Sequence, residues 1–274
     1  MSGLTGMTPL PDKPPLVHQA DLTPPVWAPL PDGHLAVEGC VNFRDAGGWR
    51  RPDGRLMRRG VLWRSDDPIR ITARGRATVA ALGLVAVIDV RQDNQFVRRP
   101  PFVPEVTFHR PLVDRVIDLD DPPPLSEPGH IADMYDEMIS RSTPQIAEVL
   151  DLVAAHVGQG PVLVHCAYGK DRTGVIVALV QAALGFGPDV LAEEYGRSDL
   201  PTRRRYEWLM TERLHDDAPA WKAPPFLFTS PAGAMAELVR RSLVRHGSLE
   251  GWVRSFPIAD DTVPRLRAAL LEAE

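Results

Sequence analysis

A cysteine and an arginine, Cys166 and Arg172, stand with five residues between them in the run His165-Cys166-Ala167-Tyr168-Gly169-Lys170-Asp171-Arg172-Thr173-Gly174. An ionised thiol is a strong nucleophile, and a planar guanidinium grips two oxygens of a phosphate at once. The pairing points to attack of a thiolate on phosphorus inside an anion cradle. The backbone N–H groups of Ala167, Tyr168, Gly169, Lys170, Asp171 and Arg172 can wrap three phosphate oxygens, as an anion nest does. Arg172 would also hold the equatorial oxygens in the transition state. Lys170 adds positive charge that stabilises a thiolate. The Thr173 hydroxyl can donate to the sulfur and make it a better leaving group in a second step. His165 is expected to orient the loop through backbone hydrogen bonds rather than to serve as an acid.

Such a cradle needs a rigid mount. Pro161-Val162-Leu163-Val164 leads in as a short buried strand, and Val175-Ile176-Val177-Ala178-Leu179-Val180 leads out as the start of a buried helix. The ten residues therefore form a turn into a helix N-terminus, where unpaired N–H groups and the helix dipole favour an anion. Gly169 and Gly174 permit tight curvature and close helix packing.

The rest of the chain reads as alternating strands and helices. Strands are expected over Val37–Asp45, Val61–Ser65, Leu84–Ile88 and from Val106 through Phe108 to Val113, with a hairpin turn at Pro52-Asp53-Gly54. Thr72 caps a helix that ends near Gly83, and Thr143-Pro144 opens another as cap and first residue. Further helices are expected over His130–Arg141, from Pro188, over Arg203–Leu214, over Pro231–His246, from Ser248 and over Asp261–Glu274. Residues 1–34 are Pro-rich and read as an extended arm, and 114–129 as a long acidic loop, a flap or a plain excursion. The predicted fold is α/β: a central mixed, mostly parallel sheet flanked by helices, in one domain over 35–274. The turn sits at the carboxyl end of a central strand, where open α/β sheets place ligands.

Composition narrows the field. Of 274 residues 44% are hydrophobic, enough to bury a core without disulfides, and there are two cysteines, Cys40 and Cys166. A reducing, cytoplasmic setting is the simple reading, with export by a signal-less route left open. The net charge of −5 argues against nucleic acid as a partner. No apolar run reaches membrane-spanning length. A zinc site would need more ligands than a Cys-His pair supplies, so no metal or other cofactor is expected. A Walker loop would need Ser or Thr after Gly169-Lys170, where Asp171 stands.

Residues 165–174 match every fixed position of His-Cys-x-x-Gly-Lys-Asp-Arg-Thr-Gly. With Asn42-Phe43-Arg44-Asp45, Arg64-Ser65, Asp89-Val90-Arg91 and Tyr195-Gly196-Arg197-Ser198, the chain resembles the cysteine-dependent protein tyrosine phosphatases, specifically a bacterial branch with mycobacterial members. The resemblance runs from about Val37 to the C-terminus. It implies metal-free hydrolysis of phosphate monoesters through a cysteinyl-phosphate. The implied partners are phosphorylated proteins, on tyrosine or with dual specificity, or phosphoinositides, a breadth linked with Lys170-Asp171. It also implies a helical lid, for which residues of about 200–230, rich in aromatics, are the candidates. Tyr168 departs from the small residue of the branch's example and would reshape the pocket rim.

The general acid is open in the sequence, since the Trp-Pro-Asp of most relatives is missing. Asp171 ranks first, because a phosphate dianion beside it favours its protonated form. Asp89 ranks second, with holding Arg91 or Arg172 as its other reading. Asp114, Asp118, Asp120 and Asp121 on the acidic loop rank third. Arg44, Arg64 and Arg91 follow strands near the ligand edge and are read either as binding a second phosphate or the substrate body, or as structural ion pairs. A binding module that captures phosphorylated partners without turnover is the reading from another class; intact Cys166, Arg172 and Thr173 argue against it.

Overall fold

The computed structural model describes residues 33–68, 71–113, 128–211 (side chains of 208–211 excepted) and 229–273. Most of the N-terminal arm, the acidic loop with its four candidate acids, and the aromatic stretch of the expected lid lie outside these.

Five strands form one sheet in the order β1-β2-β5-β3-β4: β1 Arg44–Asp45, β2 Leu62–Ser65, β3 Ala86–Asp89, β4 Thr107–His109 and β5 Val162–His165. Only β1 runs antiparallel; the remaining neighbours are parallel. The sheet is thus mixed and mostly parallel, as expected. Val162, Leu163 and Val164 are fully buried because β5 is central and covered on both faces. Alternation splits its side chains between the two faces. Leu163 and Val87 join Val37, Phe43 and Val79 on one side, while Val162, Val164 and Ile88 join the larger helical core on the other.

Ten helices are described: α1 Ala73–Ala80, α2 Asp93–Arg98, α3 Pro128–Arg141, α4 Thr143–His156, α5 Asp171–Leu184, α6 Pro188–Gly196, α7 Asp199–Thr211, α8 Ala232–His246, α9 Leu249–Arg254 and α10 Thr262–Leu270. Helix α5 is the hub. Every residue from Arg172 to Leu184 is buried, and Gly185 closes it in the left-handed conformation. Helix α8 packs against both α3 and α6. No helix among the described residues is long and apolar enough to cross a membrane.

Several expectations need correction. The strand over Val37–Asp45 shrinks to Arg44–Asp45, because the amides of Val41 and Asn42 bond the Asp66 carboxylate instead of a neighbouring strand. Strand β4 ends at His109, short of Val113, whose amide bonds the Ser142 hydroxyl. Thr72 caps α1 as predicted, accepting from the Gly75 amide, but in α4 Thr143 is already helical and the preceding Ser142 makes no side-chain cap bond. Helix α7 starts at Asp199 rather than Arg203. Helix α10 stops at Leu270, since Leu271 turns extended to pair with Met57. Helix α2 carries no buried residue and so no apolar periodicity to read; its start is held by a capping box between Gln92 and Gln95.

Candidate active site

His165, the last residue of β5, lies level with Ser65 of β2 and Asp89 of β3. Cys166 therefore leaves the sheet at the middle of its carboxyl edge, and it is only 2% exposed. The following carbonyls are held from behind. Ala167 accepts from the Asp67 amide at 3.2 Å. The Asn42 amide donates to Tyr168 at 3.0 Å and to Gly169 at 3.2 Å, and Arg64 also donates to Gly169. In a trans peptide the N–H points opposite to the C=O. The N–H groups of Tyr168, Gly169 and Lys170 therefore turn away from the scaffold. Lys170 precedes α5 without a side-chain cap, so the N–H groups of the first turn add to this ring of donors. Gly169 has φ +64°, and a Cβ there would meet the Ser65 carbonyl at 2.5 Å, so only glycine fits.

Behind this loop sits a buried ionic cluster. Glu194 of α6 receives Arg44 and Arg64, and the Ser198 hydroxyl accepts from both, at 3.0 and 3.3 Å. Arg44 also donates to the Asn42 side-chain oxygen. Burial alone would raise the Glu194 carboxyl, but the two guanidiniums outweigh it and hold it below the usual range. Burial, then the Arg64 charge, pulls Arg44 down to about 9. Arg44 and Arg64 thus brace the loop through buried ion pairs.

Arg91 is likewise buried. It grips both oxygens of Asp89, with Nε 3.0 Å from Oδ1 and Nη2 2.6 Å from Oδ2, and lies 2.9 Å from Asp67. Asp89 is fully buried, and His165 Nε2 stands 3.5 Å from its Oδ2. Burial opposes ionisation of Asp89; His165 and Arg91 outweigh it and depress its titration. Neither ring nitrogen of His165 has a hydrogen-bond partner among the described residues. The main-chain carbonyl of His165 accepts from the Val90 amide at 2.9 Å.

Arg172, in the first turn of α5, donates from Nη1 to Gln95 Oε1 at 3.0 Å and to the Val90 carbonyl at 3.4 Å. Thr173 places a buried hydroxyl with no hydrogen-bond partner among the described residues. Asp171 is the more open carboxylate, its side chain 30% exposed and 3.3 Å from the Lys170 ammonium. Tyr168 lies under the Arg205 guanidinium, 4.6 Å from its ring centre, and Arg205 is tied to Asp66 at 2.7 Å. Among the described residues no group of three or more His, Cys, Asp or Glu is placed to hold a metal ion.

Five of these residues escaped the sequence reading as parts of the site: Asp66, Asp67, Gln95, Glu194 and Arg205. Glu194 carried a usable signal. It falls on the buried face of α6 with Leu191 and Tyr195, where a lone carboxylate demands a cationic partner.

The chain is 32% identical over 277 residues to the triple specificity protein phosphatase PtpB of Mycobacterium tuberculosis, an alignment spanning 86% of this chain and 98% of that one. It is 28% identical over 174 residues to a putative tyrosine-protein phosphatase of Cupriavidus necator, spanning 60% of this chain and 63% of that one. A tyrosine-protein phosphatase of Nostoc commune matches 49% of this chain and 47% of its own length, at 28% identity. The model of the tyrosine phosphatase family matches residues 35–272. A match over residues 35–272, with a relative 32% identical over 98% of its length, makes this chain a member of the tyrosine phosphatase family.

Proposed function

We propose that this chain hydrolyses phosphate monoesters through a cysteinyl-phosphate on Cys166, acting on phosphotyrosine and also on phosphoserine or phosphothreonine. The observation that carries the reading is the loop itself. Three consecutive carbonyls are tied back by Asp67, Asn42 and Arg64, so the N–H groups beside the thiol are turned outward for an anion. Arg172 supplies the fork in the first turn of α5.

In the first step the Cys166 thiolate forms an S–P bond while the P–O bond to the leaving group breaks. Asp171 gives that oxygen its proton. The amides and Arg172 meet charge on the equatorial oxygens as it develops. In the second step water attacks phosphorus, the S–P bond breaks and Asp171 takes the water proton. The Thr173 hydroxyl donates to the departing sulfur. Asp171 suits the acid because it is partly open to solvent, whereas Asp89 is sealed and gripped by Arg91. Arg44, Arg64 and Arg91 act here as braces, which their burial favours over contact with substrate.

Hydrolysis of phosphoinositides at the same site is the second reading, favoured by Lys170 at the cradle's edge. The test compares aryl phosphate, phosphopeptides and inositol lipids with chelator present. Wild type should turn over at least the aryl phosphate. Cys166→Ser should lose turnover and keep binding of a phosphate analogue. Undiminished turnover in that variant would sink the proposal.

A further inference from the structure

Asp171 Oδ1 accepts a hydrogen bond from the Tyr135 hydroxyl at 2.5 Å, and the Lys170 ammonium stands 3.3 Å from the same oxygen. Tyr135 Oη also lies 2.6 Å from Tyr195 Oη. A phenol has one proton to donate. With that proton committed to the carboxylate, Tyr135 accepts from Tyr195. The result is a directed chain, Tyr195 to Tyr135 to Asp171, of three residues on α6, α3 and α5.

The chain is built into the core. Both phenols are buried, and their rings meet edge-on with centres 5.9 Å apart. The Tyr195 ring packs against Gly174 in the first turn of α5, where an added Cβ would approach it to 3.0 Å. Burial first, and the Asp171 charge second, push ionisation of both tyrosines upward, so both remain proton donors across the neutral range. The charged and titratable groups around the carboxylate are Lys170 and Arg172 beside it, Tyr135 from α3 and Tyr195 from α6, with Arg64 of β2 behind Tyr195.

Both described contacts of the carboxylate fall on Oδ1. We infer that Tyr135 is a positioning residue for proton transfer: it pins Oδ1 of Asp171, so that Oδ2 carries the proton to the leaving group. This rests on the proposed role of Asp171 as the acid. In the first step the Oδ2–H bond breaks and the leaving oxygen gains the proton. The new carboxylate is met by the Tyr135 donor and by Lys170. In the second step Oδ2 takes a proton from water. The tyrosines donate hydrogen bonds throughout and transfer no proton of their own.

The test is the dependence of kcat/KM on leaving group across a series of aryl phosphates. It uses wild type, Tyr135→Phe, Asp171→Asn and the double variant. Tyr135→Phe keeps the buried ring and removes the donor. It should stay within about twofold of wild type on the best leaving groups and fall about tenfold on the poorest, a part of what a general acid supplies. Asp171→Asn should show a steeper form of the same trend, and the double variant should be no worse than Asp171→Asn alone. A uniform loss across the series, or additive effects in the double variant, would overturn the inference. A flat Tyr135→Phe series beside a steep Asp171→Asn series would overturn it while leaving Asp171 as the acid. A flat Asp171→Asn series would instead overturn the reading of Asp171. Should Tyr135→Phe fail to fold, Tyr195→Phe removes the outer donor. A loss of about threefold confined to the poorest leaving groups then supports the chain, and a flat response overturns it.

Discussion

Arg44 and Glu194 are locked together inside the protein, with Nε 3.1 Å and Nη2 3.0 Å from the same carboxylate oxygen. The other oxygen takes Arg64, whose second nitrogen donates to the Gly169 carbonyl. One glutamate on α6 is thus two contacts away from the backbone of the candidate phosphate loop. Removing its charge leaves two buried guanidiniums without their counter-ion. Glu194→Gln should cost about 3–5 kcal/mol of unfolding free energy, read by urea denaturation. Activity should fall in the remaining folded protein as the loop loses its brace.

The same residue sets an acid limb of stability. Glu194 and Asp89 both titrate below their ordinary values. Their stabilisation is complete above the unfolded values, roughly 4.3 and 3.9. It is lost as pH falls through the depressed folded ones. Asp66, raised by burial, works in the opposite sense, so its contribution fades as pH rises through its folded value. Gln does not titrate. The stability gap between wild type and Glu194→Gln should therefore be constant above about pH 5 and narrow toward about pH 3. Unfolding midpoints measured across that range would check it.

Gly169 is the tightest point of the loop. At φ +64° an alanine Cβ would sit 2.5 Å from the Ser65 carbonyl carbon and 2.6 Å from the Asp66 nitrogen, both backbone atoms that cannot swing aside. Gly169→Ala should weaken binding of inorganic phosphate or vanadate by roughly 5- to 150-fold, since strain of this kind costs on the order of 1–3 kcal/mol. Inhibition titrations against an aryl phosphate would measure it.

Gln95 holds the candidate phosphate-gripping arginine at 3.0 Å. Gln95→Ala removes one neutral partner of Arg172 and leaves the guanidinium in place. Affinity for inorganic phosphate should drop roughly 2- to 10-fold, the scale of a single hydrogen bond, with thermal stability little changed. An equal loss of stability would assign Gln95 to the cap of α2 instead.

The short-range parts of this protein were legible in the chain. An apolar strand, a cysteine, a glycine at the bend and a buried helix specify the turn at 165–174, because each acts on its immediate neighbours. The Thr72 cap is local for the same reason. Strand pairing and electrostatics were not local. Val37–Phe43 has strand-like residues, yet the Asp66 carboxylate, some 25 positions away, takes the amides. Arg44 and Glu194 are 150 positions apart, and Arg64 and Glu194 130 apart. Which arginine meets which carboxylate depended on how α6 packs beside β1 and β2. Tyr135 reads in the sequence as one more core aromatic on the apolar face of α3. Only the packing of α3, α5 and α6 brings its hydroxyl to Asp171, because a buried phenol must find an acceptor and the fold presents that one.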